Sequence, residues 1–261
     1  MKMKLLKTKI FGLDFWYRED DKYIGQRIAL QKYEEYETML MQHELKGMEV
    51  VVDVGANIGY YTLLMASMAK KVYALEPDKE CFEILKKNVE ENKLKNVVLL
   101  NVAASAKNDK QTLIKDNENL GNSHLGIGNG DIVKCERLED ILINEYKIDL
   151  IKIDTQGWEP EVIEGAKKII KRDKPILFLE YSTAEYKDET MRKYLASVYK
   201  NIWSIDYWYY ICRKGIHINK KSGYTDLLIK YKMTTSDYWW MVKEIRIKKV
   251  LKWVSGWRMY N

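Results

Sequence analysis

Apolar and polar positions along this chain follow two rhythms, and the switches between them outline its elements. Residues 8–17 and 23–29 read as the two strands of a hairpin. Residues 31–46, QKYEEYETMLMQHELK, repeat at helical spacing, with Tyr33, Tyr36, Met39, Leu40 and Leu45 on one side and Gly47 placed to stop the helix. From residue 50 onward, short apolar runs alternate with amphipathic stretches. Runs at 50–54, 72–75, 97–103, 149–154 and 175–181 predict strands, and helices are expected over 58–70, 78–91, 159–171 and 184–198. Asp78 suits an N-cap, and Phe82, Leu85 and Val89 would line the buried side of its helix. The 159–171 helix begins with acids and ends with bases, as its dipole prefers, and Pro160 fits its first turn. Residues 104–116 suggest a short hairpin around Asn108 and Asp109. Residues 117–130, with four glycines and four asparagines, read as a flexible loop. A strand at 131–135, a helix over 138–146, and two late strands at 202–212 and 226–231 complete the series. Such alternation implies an α/β fold with a mostly parallel sheet and helices on both faces.

The most informative stretch is residues 51–61, VVDVGANIGYY. An apolar run carries Asp53, turns through Gly55, Asn57 and Gly59, and enters a helix-like stretch with Thr62. The next run, VYAL, ends in Glu76 and Pro77. A Gly-rich strand-to-helix turn followed by an acid at the next strand tip is how an α/β sheet holds an adenosine-containing cofactor. A nicotinamide dinucleotide would call for GxGxxG. This chain has GxxxG, with Asp53 where a pyrophosphate would approach. A carboxylate there repels phosphate and suits a cation. S-adenosylmethionine (SAM) has no phosphate and carries an ammonium and a sulfonium, so it is the expected cofactor. Asp53 would hold its amino-acid end, Gly55 and Gly59 would let backbone pass close, and Glu76 would accept both ribose hydroxyls. Asn57 in the turn and Thr62 in the stretch after it are counted with the cofactor-binding residues, and Asn101 and Ala103 would lie beside the adenine.

Charge changes the picture at one end. Of the net +6, residues 236–261 contribute +4, six Lys/Arg against two Asp/Glu, and the same tail holds four of the eight tryptophans. Over 236–257, Trp239, Val242, Val250, Trp253, Val254 and Trp257 gather on one side of a helix, with Lys248, Lys249 and Lys252 largely opposite and Lys243 and Arg246 breaking the pattern. Such a helix suits peripheral contact with an anionic membrane, or docking on the domain or on a second subunit. The expected organisation is a hairpin-and-helix extension over 1–48, a cofactor-binding domain over 49–232 and a basic aromatic helix over 233–261. Three cysteines, odd in number and far apart, offer neither a disulfide framework nor a CxxC zinc pattern. The N-terminal apolar stretch is too short and interrupted for a signal peptide. A cytoplasmic protein is expected, with the inner face of the membrane as the place for the tail. The stretch at 50–69 contains Asp53 and Asn57 and reads as the cofactor motif, not a membrane span. Nucleic acid is not expected as a partner, because the main part lacks a basic stripe.

The chain resembles the FkbM family of SAM-dependent methyltransferases. VVDVGANIGYYT matches that family's first motif nearly letter for letter, and YALEPDKECFEILKKNVEENKLKNV is similar to its second. IDLIKIDTQGWEPEVIEGA resembles the later signature, usually IDVEGAE, with Gln156 in place of Glu and Trp158 in place of a smaller residue. ERLEDIL resembles the segment before it. The match runs from about residue 31 to 181, and residues 200–261 have no counterpart. The resemblance implies a Rossmann-like class I methyltransferase fold, with a seven-stranded sheet, and methyl transfer, most often to a hydroxyl of a sugar, glycan or natural product.

Methyl transfer to oxygen needs alignment, exclusion of water and a base. Candidates lie beyond the carboxyl ends of the strands. Asp154 is the expected base, and Lys152, on the same strand face, could stabilise an alkoxide. Glu180 ends the next strand, and His124 lies in the Gly/Asn-rich loop. Glu159 and Trp158 are candidate acceptor contacts, Trp158 as a wall for a sugar ring. Each has a plainer reading: Asp154 and Glu159 as groups that settle a turn or helix start, Glu180 holding a loop, His124 and Lys152 reaching solvent, Trp158 packing. Trp203, Tyr207, Trp208, Tyr209 and Tyr210 read as a strand with one buried face. Asp154, Glu159 and Glu180 could offer oxygens to Mg²⁺, but their spacing carries no metal signature. Two other functions are open. An RNA methyltransferase is one, although Asp154-Thr155-Gln156-Gly157 stands where base N-methylation often uses Asn/Asp-Pro-Pro-aromatic. A non-catalytic protein that keeps the fold is the other.

Overall fold

The chain begins with an antiparallel hairpin, Leu5–Ile10 (β1) and Leu13–Arg18 (β2), turned at Phe11 and Gly12, both at positive φ. This computed structural model describes residues 4–116, 119–182, 190–205, 216–217 and 224–230. The hairpin closes within residues 5–18 and does not use 23–29. That second run is the short helix Gly25–Ala29 (α1), because the Asp21 carboxylate accepts from the backbone N–H of Ile24 and Gly25 at 2.9 Å each and starts a helical turn. A Cβ at Gly25 would lie 2.6 Å from the Tyr17 ring, so α1 is pressed onto β2. Glu35–Glu44 (α2) follows, shorter than expected because Glu34 stands in the left-handed region at φ 41°.

The alternating part then runs Val50–Val54 (β3), Tyr60–Ala66 (α3), Lys71–Leu75 (β4), Lys79–Glu91 (α4) and Val97–Leu100 (β5). The Asp78 carboxylate caps α4 by accepting from Glu80 and Cys81 N–H at 2.7 and 2.9 Å. Next come Ala103–Ala104 (β6), Asp109–Ile114 (β7), a 3₁₀ turn at Leu120–Asn122, His124–Gly126 (β8), Asp131–Glu136 (β9) and Leu138–Ile141 (α5). The chain continues through Leu150–Ile153 (β10), Glu159–Gly165 (α6), Lys167–Asp173 (α7), Ile176–Ser182 (β11), Thr190–Val198 (α8), Asn201–Ile205 (β12), Ile216–His217 (β13) and Tyr224–Lys230 (β14).

The main sheet has the order β13-β12-β14-β11-β10-β3-β4-β5. Five neighbouring strands, β11 to β5, are parallel, and β14 inserts antiparallel between β11 and β12. Eight strands stand among the described residues where seven were expected; the addition is the two-residue β13 at the edge. Period-two alternation sorts the strand residues. Val52, Val54, Ile151, Ile153, Leu177 and Leu179 pack on one face with Val162, Ile163 and Ile170 of α6 and α7 and Leu195 of α8. Val51, Leu150 and Phe178 pack on the other with Tyr61, Leu64 and Met65 of α3 and Leu40 and Met41 of α2. The hairpin residues Phe15 and Tyr17 cover Ile84 and Leu85 of α4.

Residues 104–116 do not form a hairpin. Strand β9 lies between β6 and β7, giving a separate four-stranded sheet in the order β6-β9-β7-β8. Asn108 is diverted from a turn role because its side chain is tied to Arg137 N–H and the Asp140 carboxylate at 2.8 Å each. The stretch read as a loop at 117–130 contributes β8 to this sheet. The expected 159–171 helix breaks into α6 and α7 at Gly165, where a Cβ would sit 2.0 Å from the Ser105 carbonyl oxygen. The helix expected over 138–146 ends at Ile141. The tail helix at 236–257, Cys212 and Tyr207 to Tyr210 lie outside the described residues. Among the described residues, no helix is long and apolar enough to cross a membrane.

Candidate active site

A cavity of about 320 Å³ opens beyond the carboxyl ends of β3, β4, β10 and β11. Its floor begins with Asp53, which is fully buried. Asp53 Oδ2 accepts from the Thr62 hydroxyl at 2.6 Å, while Oδ1 has no hydrogen-bond partner among the described residues and lies 4.0 Å from Lys152 Nζ. Thr62 is itself fully buried and does not reach the cavity. Its hydroxyl positions Asp53, a role different from the cofactor contact expected of it. Burial raises the Asp53 pKa, against the pull of Lys152 and of Thr62.

The turn after β3 is shaped by close approach. Gly55 stands at φ 75°, and a Cβ on it would fall 1.8 Å from the Asp154 carbonyl oxygen. Its N–H and that of Ala56 both donate to the Leu75 carbonyl at 3.0 Å, tying the turn to β4. Asn57, at φ 49°, donates its backbone N–H to Glu76 Oε2 at 2.7 Å. Gly59 does not face the cavity. At φ 98° it starts α3, and a Cβ there would meet Leu85 at 2.7 Å, so it serves helix packing instead of the close ligand approach expected.

Glu76 is buried at the tip of β4 and lines the cavity. Its Oε1 accepts from Asp78 N–H at 2.8 Å and Oε2 from Asn57 N–H, which fixes the carboxyl plane. Burial pushes its pKa up to about 8, opposed by those two backbone donors. Beside it Leu75, Pro77, Val102, Ala103, Ala104 and Leu113 form an apolar wall. Asn101 is not in that wall. Its amide donates to the Glu76 and Pro77 carbonyls at 2.8 and 3.2 Å, so it braces the β4 tip where an adenine contact was expected.

On the other side an arc of polar side chains follows β10 and β11. Lys152 and Asp53 are direct neighbours in the β10–β3 register. Lys152 Nζ donates to Asp154 Oδ2 at 3.1 Å and lies 5.0 Å from the Tyr61 ring centroid. Gln156 Nε2 donates to Asp154 Oδ1 at 2.9 Å and to Glu180 Oε2 at 3.0 Å, from a residue held at φ 53°. Burial opposes the Lys152 charge, but Asp154, Asp53 and Glu34 together hold its pKa above the usual value. Burial likewise opposes ionisation of Asp154, and the Lys152 ammonium, with hydrogen bonds from Gln156 and from Lys152 itself, brings its carboxyl below the usual range.

Glu159, expected as an acceptor contact, does not line the cavity. It is fully buried, accepts from Thr155 N–H and Oγ1 at 2.7 and 2.9 Å and from Gly157 N–H at 3.1 Å, and so holds the 155–157 loop that presents Gln156. Burial pushes its pKa up to about 7. Trp158 lines the cavity and also packs on the core, its Nε1 donating to Ser105 Oγ at 3.3 Å. His124 lines the cavity from β8 while remaining exposed, and its Nδ1 lies 3.0 Å from the Asn122 carbonyl. A carbonyl only accepts, so Nδ1 is the donor in that bond. Among the described residues no group of three or more His, Cys, Asp or Glu side chains is arranged to hold a metal ion.

Sequence reasoning missed the wall built by the N-terminal extension: Tyr23, Ile24, Arg27, Tyr33 and Glu34 all line the cavity, as do Tyr60 and Tyr61. Tyr60 and Tyr61 adjoin Gly59, so their place after the turn was a usable signal. The extension residues arrive by tertiary packing and carried none.

The residues fit SAM. Asp53 Oδ1, which accepts no hydrogen bond among the described residues, suits an ammonium, Gly55 lines the cavity without a side chain, and Glu76 beside an apolar wall suits a ribose and its base. Strand order, cleft position and paired acids at successive strand tips define a Rossmann-like class I methyltransferase. The family description "Methyltransferase FkbM domain" matches residues 53–204, and the chain belongs to that family of SAM-dependent enzymes. It is 29% identical over 168 residues to a Sulfurisphaera tokodaii protein named as a probable cobalt-precorrin-6B C(15)-methyltransferase (decarboxylating), spanning 56% of this chain and 81% of that one. A crystal structure of methyltransferase FkbM from Methylobacillus flagellatus is similar at 19% identity and TM-score 0.45. That match covers 70% of this chain, which spans 43% of the Methylobacillus protein. A Streptococcus mutans protein in complex with SAH (S-adenosylhomocysteine) is similar at 15% identity and TM-score 0.46, covering 76% of this chain and 97% of that one.

Proposed function

We propose that this methyltransferase acts on oxygen, at a hydroxyl of a sugar, glycan or glycosylated metabolite. The observation that carries the reading is the Lys152–Asp154–Gln156–Glu180 arc, which faces the same cavity as the cofactor-holding acids. Asp53, Gly55, Asn57, Glu76 and Ala103 are the residues that would hold SAM, with Thr62 and Asn101 bracing them. When bound, SAM supplies a methyl already activated on a sulfonium. The protein's part is to orient a hydroxyl and take its proton. Carboxylates such as Asp154 and Glu180 accept paired hydroxyl hydrogen bonds, and Trp158 offers an aromatic face to a sugar ring. As the hydroxyl oxygen gains a carbon its proton becomes strongly acidic, so even the low-pKa Asp154 can take it. The Lys152 ammonium, 3.1 Å from Asp154, keeps that carboxylate ionised and so able to accept the proton. His124 lines the same cavity from β8 and stands as a second candidate proton acceptor. The acids along the cavity disfavour a polyanionic acceptor such as RNA, for which salt-sensitive binding would be the contrary sign.

A screen of glycans and lipid-linked sugars for tritiated methyl incorporation tests the reading. Asp154→Asn should leave SAH binding intact and lower kcat by roughly 10²–10⁴-fold, the usual weight of a general base. Normal turnover by that variant would remove Asp154 from the role. A lipid-linked acceptor would also suit the tail at 236–257, whose membrane contact is tested by flotation with anionic vesicles before and after its removal.

A further inference from the structure

One corner of the cavity is built from parts that the arc just described does not use. Tyr33, Glu34, Tyr60 and Tyr61 all line it. The Tyr33 and Tyr60 rings meet edge-on, with centroids 5.0 Å apart at 74°. Tyr60 and Tyr61 meet at 90° with centroids 5.2 Å apart. Three rings thus stand at steep angles about one carboxylate, since the Tyr61 hydroxyl donates to Glu34 Oε2 at 2.7 Å. Tyr60 is braced from behind by Phe11 at 5.2 Å and by a 3.0 Å hydrogen bond with Thr38 Oγ1. Glu34 holds a left-handed backbone, φ 41° and ψ 51°, which costs a glutamate energy and must be maintained by its surroundings.

Aromatic rings gathered around a carboxylate are what an alkylammonium selects. Ring faces attract the cation, and the carboxylate supplies its counter-charge. The Lys152 ammonium meets that need only in part: it lies 5.0 Å from the Tyr61 ring centroid and pulls on Glu34, but its hydrogen bond goes to Asp154 at 3.1 Å, which leaves the Tyr60 ring without a cation among the described residues. We infer that Tyr33, Glu34, Tyr60 and Tyr61 form an ammonium-binding corner of the cavity. The ligand's identity rests on the methyl-transfer reading: the ammonium belongs either to an amine-bearing acceptor or to the amino-acid end of the cofactor. Burial raises the Glu34 pKa against the pull of Lys152, and a second ammonium beside the carboxyl would lower it further.

Calorimetric titration of the full chain distinguishes these. The probes are SAH against 5′-methylthioadenosine, which lacks the amino-acid end, and glucosamine against glucose on SAH-saturated protein. The variants are Glu34→Gln and, should that fail to fold, Tyr33→Leu, with Tyr33→Phe as the control that keeps the ring. An ammonium probe should weaken about tenfold or more in Glu34→Gln and in Tyr33→Leu, recover in Tyr33→Phe, and leave its neutral counterpart unchanged. Loss confined to SAH assigns the corner to the cofactor. Loss confined to glucosamine assigns it to the acceptor. If neither ammonium probe binds the wild-type protein, or Glu34→Gln binds both as well as wild type, or the neutral counterparts weaken equally, the inference is overturned. If SAH does not bind wild type but glucosamine, titrated without it, shows the Glu34 dependence, the methyl-transfer reading fails and the corner stands.

Discussion

Asp53 and Glu76 are acids that the fold keeps from water, and in the proposed reading each would meet a different part of SAM. The Glu76 pKa stands at about 8 against an ordinary 4.5, so between those values the folded carboxyl keeps a proton that the unfolded chain has lost. Unliganded stability should therefore fall as pH rises from about 4.5 to about 8, with Glu159, at about 7, acting in the same direction. Thermal melts at pH 5 and pH 8 check this, the lower Tm being expected at pH 8. Ribose hydroxyls donate two hydrogen bonds only to the ionised form, so binding SAH near pH 7 should expel protons, and affinity should rise with pH up to about 8. Calorimetry in buffers of differing ionisation enthalpy reads the release, and Glu76→Gln should remove this carboxyl's share. Asp53→Ala should weaken SAH binding by roughly 10–100-fold, the worth of a charge-assisted hydrogen bond.

Among the elements, Gly55, Gly130 and Gly165 mark where backbones pass at contact distance. Gly165→Ala should cost about 1–3 kcal/mol in urea unfolding, because its Cβ would strike the Ser105 carbonyl at 2.0 Å and neither backbone can easily yield. How far the elements were legible follows from the same physics. Strands β3, β4, β10 and β11 were readable because each is a short apolar run bounded by turn residues. Asp53, Glu76, Lys152 and Asp154 were readable because period two and strand tips fix which side chains face a cleft. The break between α6 and α7 was not, since helical periodicity runs through Gly165 and only the neighbouring loop interrupts it. Residues 23–29 are too few to separate strand from helix by pattern, and the Asp21 cap decided the matter. Glu159 was placed at a helix start correctly, but its carboxylate turns back to the 155–157 loop, a direction that spacing alone does not reveal.

At the scale of the whole molecule, the catalytic cleft is a joint product of three parts. The main sheet supplies the floor, the four-stranded sheet supplies Leu113, Leu125 and His124, and the extension supplies Ile24, Tyr33 and Glu34. The parts touch closely, as a Cβ on Gly121 would lie 2.8 Å from Ile24 Cδ1. Lys115 at the end of β7 bridges Asp78 at 2.9 Å and Asp131 at 2.8 Å, fastening the smaller sheet to the segment after Glu76. Lys115→Met should leave Asp78, only 2% exposed, without its cation, lower Tm, and weaken SAH binding several-fold by loosening the 76–78 backbone. Surface-plasmon or calorimetric affinity beside the melt separates the two effects. The lone Oδ1 of Asp53 has a consequence that reaches beyond catalysis. An oxygen shut away from water without a donor weakens the empty fold, and whatever supplies that donor strengthens it. If SAM supplies it, the cofactor-free protein should be the more readily digested form, and limited proteolysis with and without SAH reads the difference.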